Sequence, residues 1–339
     1  MNVLSKAVAF AGHKGLYALA RLLTRRQPKI LMYHHFAKHG DAVCTSVASF
    51  RRQLEYISRH FRAVTVSQLV KEYYELGRVP ANTIALSIDD GYVDFYETAF
   101  PLLKAFNIPA TFYVTTGFIN GSEWLWTDQL HWMFETLGEK GPAVELAGFS
   151  LPPAAHDSRS WSQRSYALNG YLLTLENNKK WEIISQLESK WCLTIPKTAP
   201  GMYAACNLQQ LQEMQDFGIE IGGHTVSHPS LGRVSVNESD REITECMRFL
   251  SSHLGEKTRS FCYPNGTPID YNNSIKAQVK RVNFSAAVTA FSDSQVFNDR
   301  YAIRRFAAGN ELFQFYKAIS GVEWLGHCVR KTCRKCEVV

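Results

Sequence analysis

Several things are scarce in this chain, and each scarcity narrows its class. No stretch reaches the roughly 20 apolar residues that a bilayer-spanning helix needs. Near the N-terminus Gly15 to Leu23 is short, and His13 and Lys14 interrupt its approach. No clear small-residue cleavage site precedes Arg25-Arg26, so the segment does not read as a secretory leader. The eight cysteines, Cys44, Cys192, Cys206, Cys246, Cys262, Cys328, Cys333 and Cys336, lack the dense spacing of a small disulfide framework. These scarcities predict a cytoplasmic protein with reduced thiols. No linker-like stretch divides the chain, and 339 residues at 45% hydrophobic content bury one substantial core.

Acid is missing from the ends. Residues 1–29 hold six basic residues and no acid, and 327–339 hold four against Glu337, which leaves the body near −3 within a formal net charge of +6. A mildly acidic body does not suggest a polyanionic partner, and no recognised nucleic-acid module accompanies the charge, so nucleic acid is not an expected partner. Basic ends point instead to peripheral contact with anionic lipid on the inner face of a membrane, each cation contributing about 1 kcal/mol near the surface. The chain is expected to divide into a basic N-terminal helical segment (1–27), a central body (28–312) and a basic, cysteine-bearing, mobile tail (313–339).

The richest feature is Asp89-Asp90-Gly91, which closes the apolar run Thr83 to Ile88. Adjacent carboxylates repel unless a cation or a proton absorbs the charge. Matching ligands come in Gly223-His224-Thr225-Val226-Ser227-His228-Pro229, where a four-residue spacing predicts two imidazoles on one face of a helical turn. Asp-Asp-Gly alone is ordinary turn sequence, and His-x-x-x-His alone is ordinary polar surface. In combination, each after a strand-like run, they would sit at one end of a parallel sheet. Two histidines and one carboxylate leave open positions on a divalent ion, as a catalytic site requires.

Candidate strands at 29–33, 62–66, 83–88, 110–115, 219–223, 259–263 and 284–289 alternate with helical patterns such as 92–106, 208–217 and 237–254, which predicts a parallel α/β barrel. Ser87-Ile88-Asp89-Asp90-Gly91-Tyr92, His224 to Pro229 and Phe261-Cys262-Tyr263-Pro264-Asn265-Gly266 together resemble the successive motifs of the polysaccharide deacetylases, the NodB-homology carbohydrate esterases. The resemblance covers about residues 28–310. It implies an irregular (β/α)7 barrel, a metal held by Asp90, His224 and His228, and Asp89 as the base. Zn²⁺ is the expected ion, with Co, Ni, Mn and Fe as alternatives. The backbone N–H of Tyr263 would stabilise the oxyanion. Ile30-Leu31-Met32-Tyr33-His34-His35 resembles the N-terminal motif of the circularly permuted branch, which implies His34 as the acid; Leu325-Gly326-His327 is the rival. An arginine that orients the base is also implied, with Arg305 favoured over Arg304 and Arg259.

Residues 120–206 break the alternation and hold six of the seven tryptophans. Most of them are packing material, but Trp126, soon after a barrel strand, is expected to reach the cleft and stack on a sugar. The expected activity is metal-dependent hydrolysis of the N-acetyl amide of an amino sugar, in a polysaccharide or a lipid-linked intermediate. Deformylation or other amide hydrolysis on the same site, and an inactive glycan-binding barrel, stand as alternatives.

Overall fold

The computed structural model describes residues 15–40, 44–122 and 124–336. Eight parallel strands form its main sheet: β1 (Lys29–Tyr33), β2 (Arg62–Val64), β3 (Thr83–Ile88), β4 (Thr111–Val114), β5 (Glu220–Gly223), β6 (Phe261–Cys262), β7 (Ala287–Val288) and β8 (Phe306–Ala307). All six residues of β3 are buried, as expected of a strand covered on both faces. The order is β7-β6-β5-β4-β3-β1-β8, and β2 pairs with the first half of β3 outside that path.

Main-chain bonds close the sheet on itself. Ile303, just before β8, donates to Ala287 O at 2.9 Å and accepts from Thr289 N at 2.8 Å, so the segment leading into β8 joins β7. The circle therefore has seven strands, and the chain folds as an irregular (β/α)7 barrel. The membership differs from expectation. The strand expected at 62–66 is a short flanking strand, while the seventh stave is 303–307, a two-residue ladder preceded by two arginines that carries no apolar alternation to announce it.

The helices Leu208–Phe217 and Val236–Leu254 fall where periodicity predicted them. Residues 120–206 build a helical layer of α1 (Trp126–Leu137), α2 (Trp161–Leu172) and α3 (Asn177–Lys190), with the hairpin 144–151. Leu130, Phe134, Leu168, Ile184 and Leu187 give this layer a core of its own. Beyond the barrel, α4 (Leu312–Ser320) buries Phe315 and Ile319 in the main core. The boundary expected at 312 thus falls at the edge of a core helix, and the expected mobile tail is helix α5 (Val322–Cys336). Trp324 anchors α5 by donating to Ser294 O at 3.1 Å. Of the expected N-terminal segment, residues 1–14 lie outside the described residues.

Close packing of the wall explains Gly222. A Cβ there would lie 2.5 Å from the Tyr113 ring and 2.8 Å from Ser260 O. Gly222→Ala should therefore destabilise the barrel by about 1–3 kcal/mol. Thermal unfolding checks this, and a melting temperature equal to the parent's would show that the wall yields without cost.

Candidate active site

Asp89 and Asp90 follow β3 at the mouth of the barrel, and both are buried. Their neighbours divide the two carboxylates into different roles. Arg305, 1% exposed, grips Asp89 with both terminal nitrogens, Nη1 to Oδ1 and Nη2 to Oδ2, each at 2.6 Å. The same guanidinium donates through Nε to Thr289 O at 2.7 Å and through Nη1 to Ser87 Oγ at 3.0 Å. Burial alone would push the Asp89 carboxyl up, but the Arg305 charge outweighs it and holds the group below the usual carboxylate range. His34 Nε2 stands 3.7 Å from Asp89 Oδ2, and its side chain is 41% exposed.

Asp90 faces the histidines. Its Oδ1 lies 3.3 Å from His224 Nε2 and 3.4 Å from His228 Nε2, and one ligand atom from each residue falls within 4.8 Å of the others. His224 Nδ1 is 2.7 Å from Cys262 O, so that nitrogen carries the proton. In the neutral ring Nε2 is then an acceptor aimed at another acceptor, Asp90 Oδ1. Either a proton on Nε2 or a metal ion between the two resolves this contact, and one carboxylate with two imidazoles is a donor set suited to Zn²⁺ and its neighbours. Burial would raise Asp90, yet hydrogen bonding to His224 and His228 holds it well below the ordinary value, ready to ligate.

The histidines do not converge on a helical turn. Residues 224–228 form a loop in which Thr225 and His228 have φ of +67° and +56°, and Asp90 has φ of +82°. Among the described residues the only other positive-φ position that is neither glycine nor asparagine is Cys192. A β-branched residue at positive φ is strained, and such strain gathers at functional sites. Glu242, 2% exposed, holds the loop in place. Its Oε2 accepts from Val226 N and Ser227 N, and its Oε1 from Ser227 Oγ, all at 2.9 Å. Sequence reasoning missed this clamp. The signal was an acid on the apolar stripe of its helix, beside Ile243, Cys246 and Leu250. Cys262 was also missed; its Sγ lies 3.5 Å from Asp89 Oδ2 and 3.1 Å from Arg305 Nη2.

Other expected residues lie elsewhere. Trp126 is 1% exposed in the core of the helical layer, with Lys180 Nζ 4.3 Å from its ring centre, so no face is open to a sugar. Its place at the start of an amphipathic helix turns it inward. Tyr263 N donates to Val288 O at 3.2 Å and closes the ladder to β7, so it is not a free oxyanion donor. His327 sits on α5 beside Glu323 and Ser292, Arg304 pairs with Asp293, and Arg259 caps helix-end carbonyls.

A polysaccharide deacetylase model matches residues 77–168 and 193–287, more than half of the chain. The chain belongs to the polysaccharide deacetylase family. This family is one of hydrolases. A Staphylococcus epidermidis poly-β-1,6-N-acetyl-D-glucosamine N-deacetylase is 31% identical over 26% of this chain and 32% of its own length. A Staphylococcus aureus protein of the same description is 28% identical over 22% of this chain and 26% of its own. The chain thus matches between a quarter and a third of these relatives' length. Two solved structures share the fold. IcaB from Ammonifex degensii has a TM-score of 0.57 at 18% identity, covering 87% of this chain and 97% of its own. The Streptococcus pyogenes deacetylase PplD, solved with acetate, has 0.56 at 18%, covering 85% and 95%.

Partners that orient a ligand-bearing loop typically alter metal affinity by about 10- to 100-fold. Glu242→Ala should weaken Zn²⁺ binding within that range in a calorimetric titration while the far-UV spectrum is retained. Unchanged affinity would remove the clamp from the site.

Proposed function

We propose that the chain hydrolyses the N-acetyl amide of an amino sugar in a glycan. The observation that carries this reading is the division of the carboxylates. Asp89 is held ionised by Arg305 with His34 across from it, while Asp90 shares its oxygen with two histidines. Asp90, His224 and His228 would hold a divalent ion, with Zn²⁺ the best fit. Such an ion, when bound, supplies Lewis acidity to the carbonyl and lowers the pKa of water. Asp89 takes the proton from the attacking water as the new C–O bond forms. His34, on the open side, gives a proton to the nitrogen as the C–N bond breaks, releasing acetate and a free amine. The glycan class follows the relatives, whose described substrate is a polymer of N-acetylglucosamine. A lipid-linked intermediate presents the same amide.

A surface feature favours lipid contact. Along residues 16–23, Tyr17 and Ala20 face the protein, while Leu16, Leu19, Leu22 and Leu23 are 53–68% exposed beside Arg21, Arg25 and Arg26. Leucines facing water next to cations match the chemistry of an anionic bilayer surface. No helix among the described residues is long and apolar enough to cross a membrane. Replacing Leu19 and Leu22 by Gln should reduce sedimentation with phosphatidylglycerol vesicles. Salt should reduce it too, since screening shortens to about 8 Å at physiological strength. Equal sedimentation of parent and variant would remove this contact.

The catalytic assignment is tested on N-acetylated and N-formylated glucosamine oligomers, by acetate and formate release. His34→Ala should lower kcat by about 10² to 10⁴ with metal content intact, and His327→Ala should track the parent. An active His34→Ala enzyme would overturn the role of His34. Formate release alone would redirect the reading to deformylation.

A further inference from the structure

His34, the proposed proton donor, is poorly held by its own contacts. Its side chain is 41% exposed, and Asp89 Oδ2 at 3.7 Å is too far for a hydrogen bond. No hydrogen bond among the described residues fixes the ring. Yet a proton donor must stand within hydrogen-bond reach of the departing nitrogen, and a misplacement of about 1 Å can cost about 10²-fold in rate. The orientation of His34 is therefore set by the chain on either side of it.

Both neighbours are anchored. On one side Tyr33, which is buried, donates its hydroxyl to Gln53 Oε1 at 2.7 Å, and Gln53 Nε2 donates to Gly309 O at 3.0 Å, so the end of β1 is tied to the barrel wall. On the other side His35, also buried, opens the short strand His35–Ala37. Its Nδ1 lies 2.7 Å from Asp94 Oδ2, and its ring lies 3.8 Å from that of Tyr92. Burial would push the His35 imidazolium down, but the hydrogen bond to Asp94 and the charge of that carboxylate outweigh it and raise the group above the ordinary histidine value. The other Asp94 oxygen, Oδ1, is buried with no hydrogen-bond partner, which leaves His35 as the group that compensates the carboxylate. Such a bond is held firmly, because breaking it strands a desolvated charge.

Asp94 stands four residues after Asp90, on the segment that leaves β3. One stretch of chain thus carries Asp89, Asp90 and the anchor of the residue that follows His34. We propose that His35 and Asp94 form a positioning pair for the general acid: their bond fixes the link between β1 and the strand His35–Ala37 and so aims the His34 imidazole across the mouth at Asp89. The proposal rests on the deacetylase reading and deepens it. His35 touches no reacting atom and acts only through its neighbour. Acid and carboxylates are then carried on one braced unit, and the spacing between them is built in before substrate arrives.

The zinc-loaded full chain is assayed on an N-acetylglucosamine pentamer, whose amine leaves only with a proton, and on 4-nitrophenyl acetate, whose phenolate leaves without one. His35→Ala should lower the ratio of amide to ester turnover by about 10- to 100-fold, with KM for the pentamer and zinc content unchanged. His35→Asn, which keeps an N–H near the place of Nδ1, should restore most of the ratio. Asp94→Asn, which keeps an acceptor but loses the charge, should fall between the two, and it carries the test where His35→Ala does not fold. In a His34→Ala background His35→Ala should lower the ratio no further, since the pair acts only through the residue it positions. A ratio that neither His35→Ala nor Asp94→Asn changes, or a full additional loss in the His34→Ala background, would overturn the pair. If the parent leaves the pentamer uncleaved, the deacetylase reading fails. In that case, or where the ester is not a substrate, crystal structures decide the pair separately: His34 Nε2 displaced from Asp89 in the folded variants upholds it, and an unmoved ring overturns it.

Discussion

The ion pair between Arg305 and Asp89 is the constraint on which the rest of the mouth depends. Both groups are buried, and two 2.6 Å bonds join them. Desolvating two charges is costly, and such a pair is tolerated only when geometry is good and the remaining donors are satisfied. Here Thr289 O and Ser87 Oγ accept the other guanidinium hydrogens. The side chain therefore reaches from the seventh stave to the ends of β3 and β7 and makes contact with Cys262 at the end of β6. Removing one partner of a buried pair costs about 3–5 kcal/mol, because the other charge is stranded. Orientation of Asp89 and integrity of the barrel mouth are consequently one property.

The candidate ligand cluster is set up differently, by backbone strain. Asp90, Thr225 and His228 all occupy left-handed backbone conformations. Each such residue costs of the order of 1–3 kcal/mol and persists only when its surroundings over-determine it. Glu242 supplies that over-determination on the histidine side, and the barrel ladder supplies it on the carboxylate side, where Thr115 N donates to Asp90 O at 3.0 Å. The donor atoms are thus held facing one another before any ion arrives, so binding need not order the loop.

Legibility in the sequence tracked how local each feature is. Asp89, Asp90, His224 and His228 were readable because motif and strand end are contiguous, and the structure brings them together. Their geometry was not readable: a four-residue histidine spacing suits a helix, and nothing local reveals that Thr225 turns the chain into a strained loop. Arg305 could be singled out but not placed, since its partner is 216 residues away. The seventh stave was invisible because its ladder spans two residues, and its inward-facing arginine breaks the apolar pattern that strands are recognised by. Trp126 misled for the opposite reason. Its position after a barrel strand suggested the cleft, but a helix that buries Leu130, Met133 and Phe134 on one face buries Trp126 with them.

The late position of the seventh stave has a consequence for how the molecule is made. The ribosome releases β1, β3 and the histidine loop 224–228 long before residues 303–307 emerge, and until then Asp89 has no guanidinium opposite it and the barrel has an open seam between β1 and β7. An unpaired strand edge of that kind invites association with other chains. Docking of the final strand closes the seam and sets the guanidinium opposite Asp89 in a single event. Any shortened chain that ends before Arg305 lacks both the closed seam and the guanidinium opposite Asp89.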